Sequence, residues 1–345
     1  MKPVLVTGGA GFIGCNLTDR LAQMGYDVLV FDALKRPGVA DNLTWLRSRH
    51  PQRISTIVAD IRDEAEVARA VAEACAVFHF AAQVAVTTSV DDPRDDFEIN
   101  AGGTLLLLEC IRRCNPAAPL VFASTNKVYG HLPNVAIAEE GQCYLPKDQH
   151  LREYGINEAQ PLSFETPYGC SKGAADQYVL DYARGFGLLA VVLRMSCVYG
   201  PWQHGTEDQG WVAHFLRRAL ACEPITIYGD GRQVRDILYI ADAIDAYLAA
   251  WQRIRAVSGC AFNLGGGPRN AVTLLQVIRR IENVSGIPIE LAFAPWRPAD
   301  QHYFVSDSRC ATAALGLSMP IDWKDGIGLL ARWCNQQSNP VMAEP

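Results

Sequence analysis

The chain has 345 residues, 49% of them hydrophobic, enough to bury a large core as one large domain with a smaller companion. Its net charge of −6 carries no basic stripe, no apolar run approaches the roughly 18 residues of a membrane span, and a single lysine precedes a glycine-broken start. Nucleic-acid and membrane partners are therefore excluded, no signal peptide is read, and a cytoplasmic location is expected. The 11 cysteines are scattered without a Cys-x-x-Cys pair, so no metal site is expected and they read as reduced core residues, with Cys110 and Cys114 together on the buried face of one helix.

In chain order, Val4 to Thr7 is a short apolar, β-branched run of the kind that forms a buried parallel strand. Gly8, Gly11 and Gly14 follow it at once, and a helix should begin near Phe12. In that context Gly8 permits a tight turn, Gly11 lets backbone approach a diphosphate, Gly14 allows close helix packing, and Phe12 and Ile13 lie at the helix N-terminus that would hold the anion. A second strand over residues 27–32 ends in Asp32, placed to accept hydrogen bonds from adenosine ribose hydroxyls. That carboxylate favours NAD over NADP, although Lys35 and Arg36 close behind it could hold a 2′-phosphate.

A third strand over residues 54–59 ends at Asp60 and Ile61, which could bracket an adenine edge and face; Asp60 could equally cap the helix expected over 65–74. The fourth strand, residues 76–80, ends in Ala81, Ala82 and Gln83, small enough at its start for close approach of a cofactor. His79 inside it reads as a core histidine. A helix over 103–113 leads to a fifth strand at 120–123, and a sixth is expected at 189–194. Strands alternating with helices predict a doubly wound parallel sheet whose ligands bind at the carboxyl ends of its strands. The stretches 130–167 and 201–208 read as long irregular loops of the kind that carry binding segments, and the tail from 336 to 345 as frayed.

Tyr168 and Lys172 lie four apart, on one face of a helix that Thr166 as N-cap and Pro167 at the first turn would start. The spacing puts the ammonium beside the phenol. A phenolate near pH 7 needs about 3 units of depression from the ordinary value near 10, or about 4 kcal/mol, which a lysine cation and an oxidised nicotinamide could jointly supply.

With these residues assembled, the chain resembles the extended short-chain dehydrogenase/reductase family of nucleotide-sugar enzymes over its whole length. The resemblance rests on Thr7-Gly8-Gly9-Ala10-Gly11-Phe12-Ile13-Gly14, the Tyr168/Lys172 pair and the segment from Arg194 to Pro201. It implies a Rossmann α/β fold with a smaller C-terminal α/β substrate-binding lobe. The expected division is 1–198 plus about 236–264 for NAD, and about 199–235 plus 265–335 for a nucleotide sugar. It also implies tightly held NAD, a homodimer or homotetramer, and catalysis by Thr125, Tyr168 and Lys172. Thr125 stands four residues before the tyrosine of Val128-Tyr129-Gly130.

Two departures narrow the chemistry. Asn126-Lys127 stands where the family's 4,6-dehydratases have Asp-Glu, and an amide and an ammonium cannot remove water from a 4-keto sugar. Cys197 replaces the asparagine that many relatives place before the final Tyr-Gly. These features look like members that invert C2 of CDP-linked hexoses, with a 4-epimerase, a reductase or a cofactor-binding sensor as alternatives. Arg235 and Arg297 match the family's substrate arginines, and Asn126 and Lys127 would contact the sugar. Trp211 or Trp202 would pack against the base, or serve as core tryptophans.

Overall fold

A computed structural model describes residues 2–297 and 300–338. The short β-branched runs form a seven-stranded sheet in which every pairing is parallel. Five of its strands are β1 (Val4–Thr7), β2 (Val28–Asp32), β3 (Ile54–Val58), β4 (Ala76–His79) and β5 (Leu120–Thr125). Across the sheet the order is Ala261–Leu264, Ala190–Met195, β5, β4, β1, β2, β3. The chain leaves β1 toward β2 and β3, then returns to the other side of β1 for β4, so a crevice opens at the carboxyl ends of β1 and β4.

Alternation along each strand builds two cores. Val4, Val6, Val28, Val30, Phe78, Val121 and Val191 face one side, against Leu17 and Leu21 of helix α1 (Phe12–Gln23) and Ile244 and Tyr247 of Ile240–Gln252. Leu5, Leu29, Phe31, Val77, Leu120, Phe122 and Val192 face the other. There they meet Val67 and Val71, Leu107 and Ile111, and Ala175 and Val179, from the helices Glu64–Glu73, Gly103–Cys114 and Thr166–Gly185. Burial on both faces explains why these strands read as continuous apolar runs.

A smaller set of elements packs over the crevice. Cys197–Tyr199, Val234–Tyr239, Ala271–Thr273 and Tyr303–Phe304 form one sheet, and Ile225–Tyr228 pairs in parallel with Leu291–Ala294. Trp211–Leu220, Leu274–Ser285 and Trp323–Ser338 are its helices, the second started by a capping box in which Thr273 and Gln276 satisfy each other's backbone. Among the described residues no helix is long and apolar enough to cross a membrane.

Several expectations change. The seventh strand, Ala261–Leu264, was missed because it has four residues and a buried Asn263, whose amide is satisfied by the Tyr129 hydroxyl (2.7 Å) and the Ile156 carbonyl (2.8 Å). The stretch 130–167 is not irregular throughout: Ile137–Glu140 and Cys143–Pro146 make a hairpin, and Gln149–Tyr154 is a helix capped by Asp148. The last helix runs to Ser338, through residues assigned to the tail, because Ile327, Leu330, Ala331 and Cys334 bury one face; 339–345 lie outside the described residues. Only Cys15, Cys110 and Cys334 are buried, while Cys114, in the last turn of its helix, is exposed.

Candidate active site

The glycine turn is built by exclusion of side chains. Gly8 has φ +67°, and a Cβ there would meet the Ala81 nitrogen at 2.6 Å; a Cβ at Gly14 would strike the Gly8 carbonyl and lie 2.7 Å from the Gly9 Cα. At Gly11 a Cβ would meet only the Gly8 carbonyl, at 3.2 Å, leaving open space on its outer side. Helix α1 starts at Phe12 and Ile13 with no side-chain cap, so its first N–H groups remain available to an anion. Asp32 accepts from the Ala10 and Leu34 N–H groups (3.1 and 2.9 Å), which fixes its carboxylate at the mouth of the turn. Burial raises its pKa against the pull of those backbone bonds.

The neighbouring charges are already engaged. Lys35 sits on Asp60 at 2.7 Å, and Arg62 holds the same carboxylate through two 2.8 Å bonds, which pushes the Asp60 pKa far below the usual range. Arg36 reaches Gln209 at 3.4 Å. Lys35 is thus paired with a carboxylate, while Arg36 meets only a neutral amide. Asp63, not Asp60, caps the following helix, and Ile61 is buried in the core against Gly103. Ala81 and Ala82 lie half-buried at the end of β4, and Gln83 is tied by its side chain to the Ala85 carbonyl and to Asp96 (2.8 and 2.9 Å).

Thr125 ends β5 and Tyr168 lies in the first turn of Thr166–Gly185; both are buried, with the Thr125 hydroxyl near enough to the phenol to favour its ionised form. Thr166 has φ +61°, outside the helical region, and its hydroxyl accepts the Gly169 N–H at 3.3 Å, so it performs the capping expected of it. Burial, with a smaller contribution from Asp96, pushes Tyr168 up to about 12, while the Thr125 hydroxyl and Arg36 pull it down. Lys172 lies one turn further along the same helix, also buried. Its ammonium donates to the Ala123 carbonyl at 2.7 Å and lies 4.4 Å from the centre of the Phe122 ring. A buried ammonium needs acceptors, and the end of β5 supplies them; burial still lowers Lys172 to about 8.

Beyond Thr125, Lys127, Trp211, Arg235 and Arg297 line a cleft of about 400 Å³. Asn126 is buried beside it. Arg235 donates to Asp300 at 2.7 Å, Lys127 approaches the same carboxylate at 3.8 Å, and Arg297 lies 3.4 Å from Asp208 with its guanidinium 4.0 Å over the Tyr228 ring. Trp202 is not in the cleft: it stacks on Trp45 with ring centres 4.0 Å apart. Cys197, standing in place of the family asparagine, lines the cleft and takes the Trp211 indole N–H at 3.5 Å.

Three supporting groups were not read from the sequence. Asp96 is fully buried and accepts from Gln83, Asn100 and Ser171, which lock the entrance of the Tyr168 helix to the end of β4. Asn100 lies in a π-helical turn, Glu98–Gly102, a geometry that no residue pattern here announced. The second group is the buried pair of Asp176 with Arg194 (2.8 and 2.9 Å), joined by Ser124 at 2.7 Å and by Tyr129, which ties the helix to two strands. The third is Asp300, three residues beyond Arg297 in the same motif.

A glycine turn at an uncapped helix start, a carboxylate at its mouth and a buried Tyr/Lys/Thr set in a doubly wound sheet fit a nicotinamide-dependent enzyme. The NAD dependent epimerase/dehydratase family model matches residues 4–265, and the chain belongs to that family. It is an NAD-dependent enzyme of the nucleotide-sugar epimerases. CDP-paratose 2-epimerase of Salmonella typhi is 42% identical over 339 residues, covering 96% of this chain and 98% of its own. Among solved structures, UDP-glucose 4-epimerase of Thermotoga maritima with UDP-glucose aligns with TM-score 0.84 at 30% identity, covering 98% of this chain and 100% of that one. UDP-glucose 4-epimerase of Thermus thermophilus in complex with NAD aligns with TM-score 0.80 at 32% identity, covering 96% and 99%.

Proposed function

We propose that this enzyme inverts C2 of a CDP-linked hexose, converting CDP-paratose to CDP-tyvelose. The observation that carries the reading is Lys127, which brings an ammonium into the cleft where a dehydratase would need a carboxylate. The 42% identity to a CDP-paratose 2-epimerase over nearly the whole chain supports the same substrate. A 4-epimerase acting on a UDP-sugar is the second reading, favoured by the two solved relatives named above. The protein would work in the cytoplasm as a homodimer or homotetramer.

A C2–H bond with no adjacent carbonyl is too weakly acidic for direct proton removal, so inversion requires a transient 2-keto sugar. Gly8, Gly11, Gly14, the α1 N-terminus and Asp32 would hold NAD, which when bound supplies reversible hydride acceptance. Tyr168 takes the C2 hydroxyl proton as the carbon is oxidised and returns it as the carbon is reduced. Thr125, beside Tyr168, orients that hydroxyl. With the phenol at about 12, ionisation near pH 7 must be favoured by about 5 units, or about 7 kcal/mol. Lys172 supplies part of that when its ammonium turns from the Ala123 carbonyl toward the phenol. Arg235 and Arg297 would grip the diphosphate while the sugar turns its other face, and Asn126 and Lys127 would position the sugar hydroxyls.

NMR of CDP-paratose incubated with the purified enzyme in deuterated water, without added coenzyme, tests the proposal. CDP-tyvelose with hydrogen retained at C2 is expected. Deuterium at C2 would reject hydride return, and inversion of a UDP-sugar at C4 instead would select the second reading.

A further inference from the structure

We propose that Asp96 is the counter-ion of Lys172, a positioning residue that acts through the negative charge it holds beside the Tyr168 helix. The inference rests on the catalytic roles given above to Tyr168 and Lys172, and adds what keeps the second of them charged. Asp96 lies in the short helix Pro93–Phe97 and is fully buried. Gln83 and Asn100 donate to its Oδ1 (2.9 and 3.2 Å), and Ser171, the residue before Lys172, donates to its Oδ2. Those bonds do not require a charge. An asparagine at 96 would accept from Gln83 and Asn100 through its carbonyl and donate through its amide to Ser171, whose own proton can turn to the Tyr168 carbonyl at 3.2 Å. A carboxylate is far costlier to bury than an amide, so its presence calls for a cation.

Charge counting finds that cation. Around the Tyr168 helix the buried charged side chains are Asp96, Lys172, Asp176 and Arg194. Asp176 favours the ammonium of Lys172 more strongly than Asp96 does, but both its oxygens are held by Arg194, at 2.8 and 2.9 Å. Lys172 and Asp96 remain, one positive and one negative. The Ala123 carbonyl and the Phe122 ring that meet the ammonium carry no net charge. His79, which Lys172 faces across β4, is kept neutral by burial, and burial also raises Tyr129 beside Arg194. Asp95 faces Asp96 from its own helix, and Arg36 faces the phenol. A negative charge at 96 opposes loss of a proton from Lys172 and from Tyr168 alike, so without it both groups deprotonate at lower pH.

The pH dependence of kcat/KM for CDP-paratose, measured on the NAD-loaded protein and its Asp96→Asn variant, tests this. Activity should rise as Tyr168 ionises and fall as Lys172 loses its proton. In the variant both limbs should move toward acid by about 0.5 unit or more, less than the roughly 1–3 units of a direct contact because Ser171 stands between. Limbs that stay in place while the rate drops would leave Asp96 a structural role only and overturn the proposal. If C4 inversion proves to be the reaction, UDP-glucose serves as substrate instead, so failure of the C2 reading leaves this test standing. Urea unfolding at pH 7, where Lys172 at about 8 is still charged, gives a readout independent of turnover. Asp96→Asn and Lys172→Met should each lower the folding equilibrium constant, and the double variant should recover at least about tenfold of the summed losses. Additive losses would overturn the proposal. If Asp96→Asn alone does not fold, the double variant should, and its failure to fold would count equally against the pairing.

Discussion

His79 should make this protein acid-sensitive by a calculable amount. The ring is fully buried between two threonines: Nδ1 lies 2.6 Å from the Thr7 hydroxyl and Nε2 3.1 Å from the Thr104 hydroxyl. Thr104 gives its own proton to the Asn100 carbonyl (2.6 Å), so it accepts from Nε2–H, and Nδ1 must accept from Thr7. A neutral ring satisfies both contacts, and a second ring proton would meet the proton of Thr7. Burial, helped by Lys172, accordingly drops the His79 pKa to about 3. An unfolded histidine protonates near 6.5, so below that pH the unfolded chain binds one more proton than the native state. The stability tied to a neutral His79 is complete above 6.5 and drains as pH falls toward 3, at 1.36 kcal/mol per unit; by pH 5 about 2 kcal/mol is gone. His79→Leu removes the titration. The Thr7 hydroxyl then loses its acceptor at a cost of about 1–3 kcal/mol, which is the same at every pH. Urea unfolding of both proteins at pH 7.5 and pH 5 should show wild type losing about 2 kcal/mol more than the variant over that interval. Parallel losses, agreeing to about 0.5 kcal/mol, or an NMR titration of the His79 ring near 6.5, would refute the argument.

Three further outcomes follow from the same geometry. Tyr168→Phe should keep NAD in the purified protein and lower turnover at least about 100-fold, read by product NMR; near-normal turnover removes Tyr168 from the chemistry. Asp176→Asn leaves Arg194 buried without its carboxylate, and should cost about 3–5 kcal/mol in denaturant unfolding, whereas a change below about 1 kcal/mol would mean the pair is solvated in solution. Gly14→Ala places a methyl against the Gly8 carbonyl, so the protein should purify without NAD while retaining the circular dichroism of the folded chain; full NAD content would show that the turn can yield.

The sheet was legible because burial on both faces leaves each central strand as an apolar run with nothing else to become. Strand ends were less so: β5 continues through Ser124 and Thr125, whose hydroxyls are satisfied by Asp176 and by the Lys127 N–H (3.2 Å), partners no local pattern announces. In the glycine turn the positive φ of Gly8 and the close packing at Gly14 were legible, since excluded volume and φ are local properties. The side-chain chemistry was not. Four-residue spacing put Lys172 on the face of Tyr168, but the direction of a long flexible stem is set by distant acceptors, here the Ala123 carbonyl and the Phe122 ring. The same limit hid Asp96, whose partners come from three separate segments.

Spacing also failed to reveal that the cations of the cleft come with anions of their own. Lys127, Arg235 and Arg297 bring three positive charges, and Asp300 and Asp208 answer two of them. The two carboxylates are not equivalent. Asp300 is held at 2.7 Å by a buried arginine, and its pKa is pulled below the usual range by Arg235 and Lys127 against the effect of burial. Asp208 rides on the loop between Tyr199 and Trp211, half exposed, 3.4 Å from its arginine. A partly exposed pair at that distance contributes about 1 kcal/mol, less than a charge-assisted bond to phosphate in a cleft. On the proposed reading, then, an arriving diphosphate displaces Asp208 from Arg297 and leaves Asp300 in place. The first event of substrate binding is then an exchange of anions on the Arg297 guanidinium, while Asp300, one negative charge between Lys127 and Arg235, leaves a net positive charge there for the rest of the diphosphate.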